Sequence, residues 1–241
     1  MTILITNDDG LSIGMEILLK AAKKFSSAYA IVPNRQRSAV SRSLTLHKPL
    51  RMSKLRNDLA TVSGTPADCV LFGIHSKEFE TPKVVLSGIN WGDNSGLSAL
   101  LGSGTVGACW MAATEGIGSI AFSIRRGPGE FHEDRSWGDE KEIGKAVENV
   151  IRELLPKVSK NKVFNVNMPF GVNGKTKIEY VKKLQREKYG TQVVKRKDPD
   201  GNDYYWIVGY ENPIEKDTDV HHIKTGKIAI AEINIDRLQK I

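Results

Sequence analysis

The first ten residues constrain this chain more than any other stretch. Thr2-Ile3-Leu4-Ile5-Thr6 is an apolar run too short for a helix and reads as a buried strand. Asn7-Asp8-Asp9-Gly10 follows without a spacer. Two adjacent carboxylates at the tip of a buried strand repel each other and resist desolvation, and a cation between them relieves both costs. In open α/β sheets, ligands bind outside the carboxyl ends of the strands. Asp8 and Asp9 are therefore read as a divalent-metal site. The alternative is a polar turn in which one of them caps the next helix.

That next helix is expected over about residues 12–25, with Ser12 as N-cap and Ile17, Leu18, Ala21, Ala22 and Phe25 on its buried face. Tyr29 to Val32 is a second strand, stopped by Pro33. Strand, helix, strand makes a βαβ unit with a parallel pair, so the fold class is α/β. Short strands are expected at Pro49–Ser53 and Ala60–Ser63, joined as a hairpin. Gly64-Thr65-Pro66-Ala67-Asp68 opens a helix by a capping box, which makes Asp68 structural. Lys83 to Ser87 reads as a buried strand, Ile117 to Ser123 as another, and Val163 to Val166 as a third. Asp139 to Leu155 has the clearest helical periodicity, ended by Pro156. Arg125 to Trp137 reads as a flexible loop bordering the site.

From about Lys175 the pattern becomes strand-like: Ile178–Leu184, Gln192–Lys197 and Tyr204–Tyr210, with a turn at Asp198-Pro199-Asp200-Gly201-Asn202. A short helix over Thr218–Thr225 and a last strand over Ile228–Ile233 follow. The chain thus divides into a core, residues 1–174, and a hairpin and arm, residues 175–241, within one globular unit. The hairpin has no helix to cover it, so its apolar residues are expected to pack on another subunit. His221 and His222 are neighbours on the expected helix. Adjacent helical residues point apart, so joint metal ligation is not expected of them.

With 241 residues, 40% of them hydrophobic, the chain can bury a substantial core. No apolar run is long enough to span a membrane, and no leader segment is read at the start. Cys69 and Cys109 sit in apolar helical patterns and read as core thiols in a reducing compartment, so the cytoplasm is expected. The net charge of +7 admits an anionic partner, but much of the excess lies in Lys182 to Lys197, read as a solvated hairpin. No stable nucleic-acid partner is expected.

Three loops after early strands supply Asp8 and Asp9, Ser38 and Asn90. A fourth supplies Ser103-Gly104-Thr105 at a helix start, where free backbone N–H groups and hydroxyls suit an anion. Carboxylates, a hydroxyl and an amide oxygen are hard ligands for Mg²⁺ or Mn²⁺. No cysteine or paired histidine points to structural zinc, and no nucleophile–histidine–acid set is evident. A hard cation beside an anion-binding helix start points to phosphoryl chemistry.

Asn7-Asp8-Asp9-Gly10, Asn34-Arg35-Gln36-Arg37-Ser38-Ala39, Ser43-Leu44-Thr45-Leu46, Gly64-Thr65-Pro66-Ala67-Asp68-Cys69, Ser87-Gly88-Ile89-Asn90-Trp91-Gly92-Asp93-Asn94 and Ser103-Gly104-Thr105-Val106 closely resemble the SurE survival-protein family. The resemblance runs in matching order from Met1 to about Ser123. It implies a Rossmann-like, mostly parallel sheet with helices on both faces, a protruding β-hairpin, and a C-terminal arm exchanged in a homodimer or homotetramer. It implies one divalent cation per subunit, Mg²⁺ or Mn²⁺, bound by Asp8, Asp9, Ser38 and Asn90. The activity implied is hydrolysis of nucleoside 5′- and 3′-monophosphates. On this reading Asp8 and Asp9 are catalytic, either one orienting the water or accepting its proton, with an aspartyl-phosphate left open. Asn94, Ser103, Gly104 and Thr105 hold the phosphate. One departure stands out: Leu11-Ser12-Ile13-Gly14 replaces the family's aromatic residue and Ala-Pro or Ser-Pro pair, and is expected to alter the pocket wall. Rival readings are a haloacid-dehalogenase-like phosphatase and a non-catalytic acidic-pocket or nucleic-acid-binding module. The first wants a second Asp two places on, where Gly10 stands.

Overall fold

The computed structural model describes residues 1–127 and 137–238. β1 (Thr2–Thr6) is buried on both faces. Its Ile3 and Ile5 join one hydrophobic cluster while Leu4 joins another on the opposite side, as the two-residue period of a strand requires. α1 (Ile13–Ala22) begins at Ser12, whose hydroxyl accepts from the Met15 N–H. It ends three residues earlier than its periodicity predicts. β2 (Ser27–Pro33) lies parallel to β1, and Pro33 closes the strand from within.

β3 (Met52–Arg56) and β4 (Leu59–Val62) form the expected antiparallel hairpin on the outer edge of β2. α2 (Pro66–His75) opens on the expected capping box, Thr65 with Asp68. Asp68 also accepts the backbone N–H and hydroxyl of Thr45, at 3.0 and 2.7 Å, so its carboxylate is fully used in structure. β5 (Val84–Trp91) runs four residues past the expected strand end. A register irregularity against its neighbour between Ser87 and Asn90 absorbs Gly88 and Ile89, and such a bulge re-aims the residues that follow.

α3 (Leu97–Gly102), a short helix with little periodic signal, leads into α4 (Gly104–Thr114). β6 (Gly118–Ile124), α5 (Glu140–Leu154) and β7 (Lys162–Met168) complete the inner layers. β8 (Ile178–Tyr180) is much shorter than the 178–184 segment expected, and residues 181–188 leave the sheet. β9 (Tyr189–Lys197) and β10 (Asp203–Glu211) pair antiparallel along their whole length as a separate two-stranded sheet. α6 (Asp219–Lys224) and β11 (Ile228–Asn234) follow.

The main sheet has the order β3-β4-β2-β1-β5-β6-β7-β11-β8. It is parallel except at the β3–β4 and β7–β11 pairs. The last arm strands therefore extend the same sheet as the first strand of the chain. α1 and α5 cover one face, where Leu18, Ile143, Val147 and Ile151 meet Phe122 and Phe164. α2 and α4 cover the other, where Ala67, Val70, Ala108 and Met111 meet Leu4 and Ile31. This is the expected mostly parallel α/β sheet with helices on both faces. Cys69 and Cys109 are free and buried in those layers. No helix among the described residues is long and apolar enough to cross a membrane. The reading of residues 125–137 as a loop falls mostly on 128–136, outside the described residues.

The order β2-β1-β5 holds the key to the site. The chain moves one way from β1 to β2 and later returns to the other side of β1 with β5. Crevices for ligands form at such a switch point, beyond the carboxyl ends of the strands. Asp8 and Asp9 follow β1 and Asn90 lies at the end of β5, one on each side of it.

Candidate active site and metal centre

The turn after β1 is built by Asn7. Its amide oxygen accepts the Gly10 N–H at 3.0 Å while its amide nitrogen donates to the Gly10 carbonyl at 2.8 Å. Gly10 has φ +75°, and a Cβ there would stand 2.9 Å from the Pro33 carbonyl. The chain thus turns tightly enough for Asp8 and Asp9 to stay at the strand tip.

Asp8 is 6% exposed. Its Oδ1 accepts the Thr105 hydroxyl at 2.6 Å, and its backbone carbonyl accepts the Arg37 N–H at 2.7 Å. Burial is the main cause that pushes its pKa up from 3.8 to about 6; the Thr105 hydrogen bond opposes the rise, and the charge of Asp9 adds to it. Asp9 is half-buried. It accepts from Gln36 Nε2 at 3.3 Å and from the Trp91 N–H at 3.2 Å.

Ser38 sits on the loop after β2. That loop is pinned at Arg37, bonded to Asp8 as above, and at Ser41, whose N–H and hydroxyl donate to the Gly102 and Leu101 carbonyls. Ala39 and Ser41 both hold positive φ, at 54° and 50°. Gln36 donates to both Ser38 Oγ, at 3.0 Å, and Asp9, tying the two loops together. Asn90 donates its amide nitrogen to the Gly92 carbonyl at 2.6 Å, leaving its amide oxygen as the end suited to a cation.

Asp8, Asp9, Ser38 and Asn90 line one cavity of about 330 Å³, with Asn94 and Ser103 on its wall. The structure thus brings together four oxygen-bearing side chains from three separate strand ends. The remaining residues read as phosphate binders are placed differently. Thr105 is fully buried and its hydroxyl is committed to Asp8, so it does not line the cavity. Ser103 caps α4, accepting the Val106 N–H at 3.2 Å. Gly104 gives the close approach of α4 to Asp8: a Cβ there would lie 3.0 Å from the Asp8 Cβ. Asn94 is locked by the sheet, its N–H donating to Asn167 Oδ1, its carbonyl accepting from Asn165, and its side-chain nitrogen donating to Ser123.

Several wall residues carry no separate signal in the sequence. The side chain of Asp93 is 3% exposed and pairs with Lys188 at 2.7 Å, joining this loop to the start of β9. Arg126 donates to the Trp91 carbonyl at 3.1 Å. Its position just after β6, at the same sheet edge, is the one clue that could have marked it. Gly92, Asp93 and Arg126 also belong to a neighbouring cavity of about 690 Å³, walled by Phe170, Tyr189, Arg125 and Lys224 among others. The departure at Leu11-Ser12-Ile13 does not touch either cavity. Those residues line a third cavity between α1, the β3–β4 hairpin and α5, while Gly14 lets α1 pack on the Ile89 carbonyl. Ser12 meets the site through Asn7, whose amide nitrogen donates to its hydroxyl at 3.1 Å.

His221 and His222 also depart from expectation. Their rings lie 5.4 Å apart, and with Asp217 they bring three ligand atoms within 4.8 Å of one another.

The family model described as Survival protein SurE matches residues 3–194. A 5′-nucleotidase SurE of Archaeoglobus fulgidus is 37% identical over 243 residues, spanning 98% of this chain and 92% of that protein. Another, of Thermoanaerobacter sp., is 40% identical over 246 residues, spanning 98% and 93%. Among solved structures, the SurE protein from Aquifex aeolicus matches with a TM-score of 0.83 and 32% identity, covering 98% of this chain and 94% of that one.

Proposed function

This chain belongs to the SurE survival-protein family, and on that premise we propose that it works as a divalent-metal-dependent nucleotidase. It is a phosphoric monoester hydrolase that converts nucleoside monophosphates to nucleoside and phosphate. The observation that carries the metal assignment is the convergence of Asp8, Asp9, Ser38 and Asn90 on one cavity.

The donor set fits Mg²⁺ or Mn²⁺. Two carboxylates, a hydroxyl and an amide oxygen are hard ligands. A buried carboxylate held up at about pKa 6 beside a second one is an electrostatic cost that a doubly charged cation relieves. When bound, one such ion per subunit lowers the pKa of water and offsets charge on the transferring phosphoryl group.

The chain's own residues have separate tasks. Thr105 fixes the rotamer of Asp8. Asp9, the more exposed of the two carboxylates, orients the attacking water and takes its proton. Asn94 and Ser103 border the phosphate, and Gly104 brings the positive end of the α4 dipole close to it. The adjoining 690 Å³ cavity suits the nucleoside, with Tyr189 and Phe170 offering aromatic faces to the base.

The hairpin exposes apolar residues on both faces, Tyr205 and Ile207 on one and Trp206 and Tyr210 on the other, which supports a homodimer or homotetramer formed through the arm. Ile207→Lys should then lower the mass measured by light scattering. The buried free thiols support a reducing compartment, the cytoplasm.

A metal-by-substrate screen tests the activity. Mg²⁺ or Mn²⁺ should bring phosphate release from nucleoside monophosphates, stopped by chelation, and the same panel with polyphosphate and an aryl phosphate sets its breadth. A salt-dependent shift with DNA or RNA and no hydrolysis would instead favour the binding-module reading.

A further inference from the structure

We propose that Asp217, His221 and His222 form a second cation site, separate from the Asp8 cavity, that takes a borderline divalent transition metal of the Zn²⁺ class. One ligand atom from each lies within 4.8 Å of the other two. The independent observation is His222. It is 8% exposed, and its Nδ1 is buried with no hydrogen-bond partner. A buried imidazole nitrogen without a partner forfeits its hydration for nothing in return, and the residue that carries it belongs to a cluster whose ligand types could hold a metal ion.

The other two members can adjust to an ion. Asp217 is exposed and His221 half-buried. Asp217 holds a left-handed backbone, φ 60°, just before the α6 N-cap Thr218, which turns its side chain back over the first turn of the helix. The Nδ1 of His221 accepts the Asp217 N–H at 3.3 Å, a long contact that costs little to give up. Ligands on a tetrahedral zinc with bonds of about 2.0 Å stand about 3.3 Å apart, so the cluster closes inward by rotation of the two accessible side chains around the fixed His222.

Two imidazoles and one carboxylate select Zn²⁺, Co²⁺, Ni²⁺ or Cu²⁺ over Mg²⁺ and Ca²⁺. The Asp8 set, all oxygen, has the opposite preference, so one chain can hold two different metals. The location gives the second ion a consequence. Asp219, next in α6, accepts the Gly96 N–H at 2.6 Å and the Gln185 N–H at 3.0 Å. An ion bridging residue 217 to residues 221 and 222 would brace the helix turn that holds the loop carrying Asp93 and Asn94.

The test is metal content and spectrum of the full chain. Asp8→Asn is the parent, so that zinc held by the first site is removed, and excess Mg²⁺ is present throughout. After zinc loading and dialysis the parent should retain about one Zn²⁺ per chain, and Co²⁺ in its place should give visible absorption bands. Asp217→Asn/His221→Gln in that parent should lose both the zinc and the bands, and should lose the zinc-dependent rise in Tm. Asn tolerates the left-handed backbone at 217, so this pair of changes keeps the fold, whereas His222→Asn touches the core and serves as the second arm. A parent that retains no zinc, or a double variant that retains as much as its parent, overturns the assignment. Neither readout depends on the nucleotidase activity.

Discussion

Thr105, buried in the first turn of α4, gives its hydroxyl hydrogen to Asp8 at 2.6 Å. The bond joins the helix start to the strand tip and orients a carboxylate whose burial holds its pKa at about 6. A residue that reads as an anion ligand in the sequence instead sets up the acid beside it. Replacing it with the isosteric Val leaves Asp8 buried without this donor, and the loss pushes its pKa higher still. Thr105→Val should therefore move the pH dependence of Mn²⁺ affinity to higher pH, read by titration calorimetry across a pH series. An unmoved profile would mean the bond has no bearing on the metal.

Asp8→Asn removes a charge at the centre of the site while keeping the side chain's shape. Metal-dependent phosphate release should fall by about 10³-fold or more, with unchanged circular dichroism. Near-normal turnover in this variant would remove Asp8 from the mechanism.

Asp8 also makes stability depend on pH in a definite sense. Between 3.8 and about 6 the folded chain keeps a proton that the unfolded chain has released. Without metal, stability should fall as pH rises through that window, by up to about 3 kcal/mol. Cation binding needs the ionised carboxylate, so affinity should rise over the same window. Thermal unfolding in a chelator from about pH 4 to 7, compared with Asp8→Asn, isolates this contribution. Parallel wild-type and variant curves would contradict it.

Lys188 and Asp93 are both largely buried and pair at 2.7 Å between the hairpin base and the site loop. Lys188→Met strands a buried carboxylate, which should cost about 3–5 kcal/mol, seen as a lower Tm. Asp93→Asn added to it should restore much of the loss. The KM for nucleoside monophosphate should rise in the single variant, since Asp93 and Lys188 both border the larger cavity. A single variant with unchanged Tm and KM would show that the pair contributes to neither.

The amino-acid sequence by itself determined the local steps. The run Thr2–Thr6 before two acids, the capping box at Thr65 and Asp68, and the period of residues 140–154 are each written within a few residues, because caps and amphipathic faces depend on nearest neighbours. Asp8, Asp9 and Asn90 were legible as candidates because their loops were read as following strands, whereas Ser38 was singled out among several loop hydroxyls by the family resemblance. The tertiary structure alone decided what these residues meet. The placing of β5 beside β1 opens the switch point, and the bulge at Gly88 and Ile89 aims Asn90 into it. The packing of α4 turned Thr105 to Asp8, and the network from β7 locked Asn94. The Thr105–Asp8 and Asn94–Asn167 contacts join residues 97 and 73 positions apart, and no local pattern encodes a partner at that distance.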